Sequence, residues 1–352
     1  MQEISSLTLV LTERCNFSCS YCPQHKGKNT LKIEAIQAFL DFLRPSLARE
    51  VWLGFYGGEP LLAWPLVIKT FGHLQKNHKN KFHFSLTTNG SLLKKEHILF
   101  FKKNRFDLVL SYDGLAQKHR DAGNVTTVAA ALANLQKLYP AGYTVNSVFT
   151  PATVAKLAAS INALMKRGHQ RLQYALDLSA PWLGKDLRQL ASELGHLAEF
   201  CHDYFPKSGR RPLTNFQAEA DDKGIFACFA GRDRLALLPD NTVWGCYMFY
   251  DLLGHTTEHP DYRKYCFGEL KDFMDGFKKY FPIVAANYAE LRQDYFFTVK
   301  QELCSLCPEL EHCSVCPVVA ALATSRLAVI PDWICRVRQV NAKVKPVFAS
   351  LH

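Results

Sequence analysis

The sequence predicts an α/β fold, a parallel sheet with helical crossovers, followed by a smaller cysteine-rich unit. Three observations carry this. Six strand-like apolar runs alternate with stretches of helical period over residues 1–205, which is the pattern of consecutive strand-helix units. Glycine and small polar residues stand just after several of those runs, where such sheets place their ligand sites. Of twelve cysteines, three occur by residue 22, none follow until Cys201, and nine lie from there onwards.

In order, Leu7 to Leu11 reads as the first strand, and Ile33, Ile36, Phe39, Leu40 and Leu43 recur at helical spacing. Val51 to Tyr56 is a buried strand, followed by a helix around 65–77 and a strand from Phe82 to Thr87. A helix around 94–104 leads to the strand Phe106 to Ser111, and a helix with Val128, Leu132, Leu135 and Leu138 on one face precedes the strand Tyr143 to Phe149. Thr150 is the expected N-cap of the next helix with Pro151 at its first position, and Gly168 its C-terminal cap. Arg171 to Leu176 is the sixth strand, and a helix then runs to about Phe205. Periodicity fades over 206–225, which reads as a linker. Beyond it, Leu235 to Leu238, the turn Pro239-Asp240-Asn241 and Thr242 to Cys246 form an expected hairpin that brings Cys228 and Cys246 together. Pattern alone leaves open whether the six units form an open doubly wound sheet or a partial barrel.

The 352 residues, 48% of them hydrophobic, suffice for one large core plus a smaller unit. No apolar run is long enough to span a bilayer and no export signal is seen, so the cysteines read as metal ligands in a reducing cytoplasm rather than as disulfides. The net charge is 42 − 32 = +10. Nine basic residues against Glu96 alone lie between Lys69 and Arg105. They fall on helix faces, and a solvated face is the simpler account than a nucleic-acid surface.

The chemistry starts at Cys15, Cys19 and Cys22, a CxxxCxxC with the aromatic Tyr21 before the last cysteine. Three thiolates hold three corners of a four-iron cluster and leave one iron open to chelate a cofactor. A zinc knuckle would want paired CxxC units, which these three do not form. The segment closely resembles the radical S-adenosylmethionine superfamily. That resemblance implies a partial (β/α)6 TIM-like barrel with the cluster loop after the first strand. It also implies a [4Fe-4S] cluster that binds S-adenosylmethionine. After the second strand, Gly57-Gly58-Glu59-Pro60 matches the family motif that grips the methionyl amine, and glycines there let backbone approach a ligand. Asn89, Ser111 and Asp113, with Asn146 on the fifth strand, resemble the polar strand-end residues that contact the methionyl carboxylate and ribose, and Tyr21 belongs to the same cofactor site.

Seven later cysteines follow the order C-x17-C, CxxC-x5-CxxC, C. Two zinc sites from the CxxC pairs are the competing reading. The arrangement over residues 226–352 resembles the SPASM domain, which holds two auxiliary four-iron clusters in relatives that modify peptides and proteins. Carried across, Cys228, Cys246 and Cys316 hold an inner cluster, with Cys266 or a substrate atom completing it, and Cys304, Cys307, Cys313 and Cys335 an outer one. Asn241 replaces the family's glycine, and asparagine tolerates the left-handed backbone. Cys201 reads as a small apolar residue in a helix.

The resemblance implies a 5'-deoxyadenosyl radical that abstracts hydrogen from a peptide or protein side chain, ending in crosslink formation or dehydrogenation. A low-potential donor, flavodoxin or ferredoxin, would supply the first electron. Asp177, Tyr112 and Tyr247 are candidate acid-base or radical-relay groups. Tyr247 stands where sulfatase maturases carry a catalytic aspartate, which speaks against formylglycine formation. A leader-binding segment has no room before the first strand, so a stand-alone leader-peptide-binding protein or direct binding is expected. The alternatives are a radical enzyme acting on a small molecule or RNA, and a non-catalytic metal scaffold or electron carrier.

Overall fold

A computed structural model describes residues 3–120, 124–216, 228–298, 307, 315–324, 326–327 and 329–349. The first six strand-helix units run β1 (Ile4–Val10), α1 (Ile33–Leu43), β2 (Leu47–Tyr56), α2 (Trp64–Asn77), β3 (Lys81–Thr88), α3 (Lys95–Lys103), β4 (Asp107–Ser111), α4 (Val125–Leu138), β5 (Tyr143–Phe149), α5 (Leu157–Lys166), β6 (Leu172–Leu176) and α6 (Gly184–Ser208). There follow β7 (Arg234–Leu237), β8 (Thr242–Trp244), α7 (Tyr247–Leu253), α8 (Tyr262–Tyr265), β9 (Cys266–Glu269), α9 (Leu270–Thr298), α10 (Pro317–Thr324) and α11 (Asp332–Ala349).

Strands β1 to β6 are all parallel and lie in chain order, the sheet of a partial (β/α)6 barrel. Alternation along each strand decides which face a residue serves. Val51, Leu53 and Phe55 of β2 are buried in the core under the helices, where Phe55, Phe84 and Phe106 stack with ring centroids 5.0–6.4 Å apart. Tyr56, on the opposite face, is in register with Val10, as Ser111 is with Asn146 and Val148 with Ala175. The polar strand-end residues therefore converge inside the curve of the sheet.

Three expectations change. The helix after β5 does not start at Pro151: Thr150 accepts bonds through its carbonyl from the N–H groups of Thr153 and Val154, a short 3-10 turn intervenes, and α5 begins at Leu157. The stretch expected as a linker, 206–225, starts as ordered chain. Helix α6 runs to Ser208 and ends on Gly209 at φ +64, Leu213 bridges to Leu172, and Asn215 pairs with the backbone of Tyr174 through both its amide atoms at 2.9 Å. This segment covers the exposed edge of β6, which would otherwise offer unpaired backbone groups; residues 217–227 lie outside the described residues. Finally, the hairpin expected in a second unit joins the sheet of the first. Strand β7 pairs in parallel with β1, so β8 and β9 extend one nine-stranded sheet. The hairpin turn itself is as expected, with Asn241 at φ +66. Helix α11 packs on α6, the Tyr174 hydroxyl donating to Asn341 at 2.8 Å and the Trp333 indole to the carbonyl of Leu178 at 3.3 Å.

Candidate active site

The loop between β1 and α1 closes on itself. Thr12 bridges Thr30, and the N–H groups of Glu13 and Leu31 reach the carbonyls of Asn29 and Leu11 at 3.0 and 2.9 Å. Glu13 is buried beneath it and accepts from Tyr250 at 2.6 Å and from Asn29 at 3.2 Å. Burial would raise its carboxyl, but these bonds outweigh it and hold the group below the ordinary range. The result is a stiff frame for Cys15, Cys19 and Cys22, which are partly exposed on the wall of one cavity of about 380 Å³. Burial pushes the Cys15 and Cys19 thiols up, and the Lys26 ammonium pulls both back. Three half-open sulfur donors sharing one cavity, with neighbouring cations to offset thiolate charge, fit a four-iron cluster with one iron left for a cofactor.

Gly57 and Gly58 form the adjacent wall. The Gly58 and Glu59 N–H groups donate to the carbonyls of Thr12 and Arg14 at 2.8 and 2.9 Å, which laces the end of β2 to the cysteine loop. A Cβ on Gly58 would stand 2.3 Å from the Arg14 carbonyl oxygen, and Gly57 has φ +150, so neither position takes a larger residue. Glu59 departs from its expected role. Its carboxylate is fully buried behind the wall and accepts from the N–H groups of Leu61 and Asn89 and from the Thr88 hydroxyl, at 3.1, 2.8 and 2.8 Å. It braces the end of β3 rather than facing a ligand. Burial pushes its carboxyl up to about 7, with those three bonds pulling against it.

Asn89, Ser111 and Asn146 do line the cavity. Asn89 also donates to Asn16 at 2.9 Å, tying β3 to the cysteine loop. Asp113 does not line it. It is buried and holds Arg120 through two bonds of 3.2 Å, the Tyr21 hydroxyl at 2.6 Å and the Val148 N–H at 2.8 Å. With its acceptor sites so engaged, Asp113 positions Tyr21 and Arg120, which both reach the cavity. Burial works against the Arg120 charge, but Asp113 outweighs it and keeps the guanidinium protonated. The sequence reading missed Arg120. It sits beyond the strand end, after the 3-10 turn of residues Gly114–His119, and no local motif marks it.

The same cavity is also lined by Val148, Ala175 to Ser179, Met248 of α7, and Val319 and Leu322 of α10. Asp177 is there as expected, its Oδ1 taking the Ser179 N–H and hydroxyl at 3.1 and 2.5 Å. Tyr112 is not. It follows Ser111 on the alternate face, buried in the core, with its carbonyl accepting from Ser147 at 2.7 Å. Tyr247 lines a second cavity, and its ring lies 4.3 Å from that of Tyr56, which lines the first. Burial pushes the Tyr56 hydroxyl up to about 12; Tyr247 is raised further, first by Tyr56 and then by burial.

The second cavity, about 420 Å³, is lined by Cys228, Cys246 and Cys316 with Arg234 and Arg338. Burial pushes the Cys246 thiol up to about 12, and Cys316 and Cys228 are near enough to add to the rise. These three sulfurs suit a second cluster. Cys266 is not with them. It pairs with Trp244 in β9, accepts the Gly268 N–H at 3.3 Å and points to the Val243 carbonyl at 3.9 Å. Cys307 and Cys335 are partly exposed, while Cys304 and Cys313 lie outside the described residues. Cys201 is buried on α6, as expected.

Residues 9–154 match the radical SAM superfamily. Among curated proteins, the chain is similar to the radical SAM cyclopropyl synthase TigE of Paramaledivibacter caminithermalis, at 25% identity over 137 residues, 34% of this chain and 29% of that protein. It is also similar to a cysteine-type anaerobic sulfatase-maturating enzyme of Clostridium perfringens, at 26% over 191 residues, 49% of this chain and 52% of that protein. The matches thus span about half or less of these relatives' length. The fold is that of native anSMEcpe with bound AdoMet and Cp18Cys peptide, with TM-score 0.75, 20% identity and coverage of 98% of this chain and 99% of that one. None of the described helices is long and apolar enough to cross a membrane. The cysteine loop, the paired glycines and strands β2 to β5 of the parallel sheet all fall within residues 9–154, the segment that matches the radical S-adenosylmethionine superfamily.

Proposed function

We propose that this chain oxidatively modifies a side chain of a peptide or protein, by crosslink formation or dehydrogenation. The observation that carries the reading is the contact of Tyr56 with Tyr247, which joins the wall of the first cysteine cavity to that of the second. An oxidation must dispose of an electron, and a second sulfur-lined cavity one aromatic pair away is a place for it. When bound, a four-iron cluster with S-adenosylmethionine supplies a hydrogen-abstracting 5'-deoxyadenosyl radical. The chain's own residues then have separate tasks. Cys15, Cys19 and Cys22 hold the iron. Gly57, Gly58, Asn89, Ser111, Asn146 and Arg120 hold the cofactor's polar groups, and the Asp113 bonds keep Tyr21 and Arg120 in place. Asp177, which lines the same cavity, is our candidate to take a proton from the substrate.

The peptide class is supported by the sulfatase-maturating relative and by the peptide-bound structure of the same fold. Tyr247 in place of a carboxylate after Cys246 argues for chemistry other than formylglycine formation. Residues 226–352 serve in this reading as the unit for the auxiliary clusters. A flavodoxin or ferredoxin supplies the electron in the cytoplasm, and a stand-alone leader-binding protein is a candidate partner. Anaerobic reconstitution followed by iron counting and 5'-deoxyadenosine assay tests this. About twelve irons and cofactor cleavage are expected, from three clusters of four. About four irons would sink the auxiliary clusters, and zinc without cleavage would sink the enzyme.

A further inference from the structure

On the outer wall, away from the cysteine cavities, Asp41 near the end of α1 meets His73 near the end of α2 and His78 just after it. The two Nε2 atoms stand 3.0 and 3.1 Å from Asp41 Oδ1, and Arg44 Nη2 stands 2.5 Å from the same oxygen. Three N–H donors on one carboxylate oxygen exceed its two lone pairs. In the other tautomer, each imidazole carries its proton on Nδ1 and presents an Nε2 lone pair, and the crowding becomes a donor set. His73 Nδ1 then has a ready partner in the Asn77 side-chain amide, 2.9 Å away, with the amide turned to accept.

We propose that Asp41, His73 and His78 bind one zinc-like divalent transition-metal ion as a clip between α1 and α2. Zinc takes imidazole nitrogen and carboxylate oxygen at about 2.0–2.1 Å in a tetrahedron, which sets its donors about 3.3 Å apart. The observed nitrogen–oxygen separations fall within a few tenths of an ångström of that. The two imidazole rings are 5.8 Å apart at 61°, an arrangement that lets both face one ion. Water completes the fourth position through Asp41, which is partly exposed, while the His78 side chain is buried, its Nδ1 without a hydrogen-bond partner in either tautomer. Arg44 is the competitor: its guanidinium must leave Oδ1, and with half of its side chain in solvent it has room to turn outward. The clip joins the helices that follow the cysteine loop and the Gly57–Glu59 turn, at their ends remote from the cavity. That end of such a barrel serves stability.

The test uses iron-reconstituted protein, so that cysteines are already occupied, with added zinc or cobalt. Wild-type protein should bind one more zinc than Asp41→Asn, which keeps the hydrogen-bond acceptor, and excess zinc should raise its Tm by at least about 3 °C while leaving the variant unmoved. Cobalt should give visible bands without the sulfur charge-transfer absorption of a cysteine site. Arg44→Gln should tighten zinc binding severalfold by removing the competing cation. Equal zinc uptake by wild type and Asp41→Asn, or an unchanged affinity in Arg44→Gln, would show a hydrogen-bonded cluster and overturn the proposal.

Discussion

Asp113 grips Arg120 through two bonds of 3.2 Å and, with the same carboxylate, takes the Tyr21 hydroxyl at 2.6 Å. A residue that reads as a ligand contact is the support beneath two others. Asp113→Asn leaves a buried guanidinium without its counter-charge, and we expect a loss of about 3–5 kcal/mol in urea unfolding. Arg120→Met removes the one cation on the cavity wall among the described residues. Its iron content should stay unchanged while S-adenosylmethionine affinity falls about tenfold, the value of one charge-assisted hydrogen bond. Equal affinity in titration calorimetry would refute this.

Gly58→Ala sets a methyl group 2.3 Å from the Arg14 carbonyl oxygen, against the Glu13–Arg14 backbone, with no flexible side chain to yield. The junction of β2 with the cysteine loop must open. We expect a loss of a few kcal/mol in stability and of most cofactor binding, whereas Gly72→Ala, with open space around it, should be neutral or better.

Iron counting separates the C-terminal cysteines. Cys266→Ala should retain the full iron complement, because its sulfur serves Gly268 and Val243 in β9 and not the second cavity. Cys246→Ala should lose about four irons. Loss of four irons in both variants would place Cys266 among the ligands after all.

Asp251 gives a pH signature. Burial pushes its carboxyl up to about 7 from the ordinary 3.8, and its Oδ2 is buried without a hydrogen-bond partner. The folded chain holds this proton between those two values while the unfolded chain releases it, so stability falls as pH rises through the window and stays low above it. Asp251→Asn should flatten that fall and raise stability at pH 8 by no more than about 4 kcal/mol. Parallel unfolding curves at pH 4 and pH 8 for both proteins check the sign.

What was legible in the sequence was local. Strand and helix alternation follows from residue spacing, and Cys15, Cys19 and Cys22 declare their chemistry within eight residues. Asn241 keeps the left-handed turn that its position in the hairpin demands. Even the polar strand-end residues Asn89, Ser111 and Asn146 were in reach, because parallel register brings the same ends of successive strands together.

Tertiary structure decided how those ends are used. Glu59 and Asp113 turned inward because buried backbone N–H groups, the Thr88 hydroxyl and a buried guanidinium needed acceptors more than the cavity did. Tyr112 fell on the core face by one step of strand alternation. Cys266 went with its own strand, and β7 joined β1 across more than two hundred residues of sequence. Spacing along the chain cannot express such choices. They depend on which polar groups lose water together when the sheet closes, and that is settled only when distant segments share one interior.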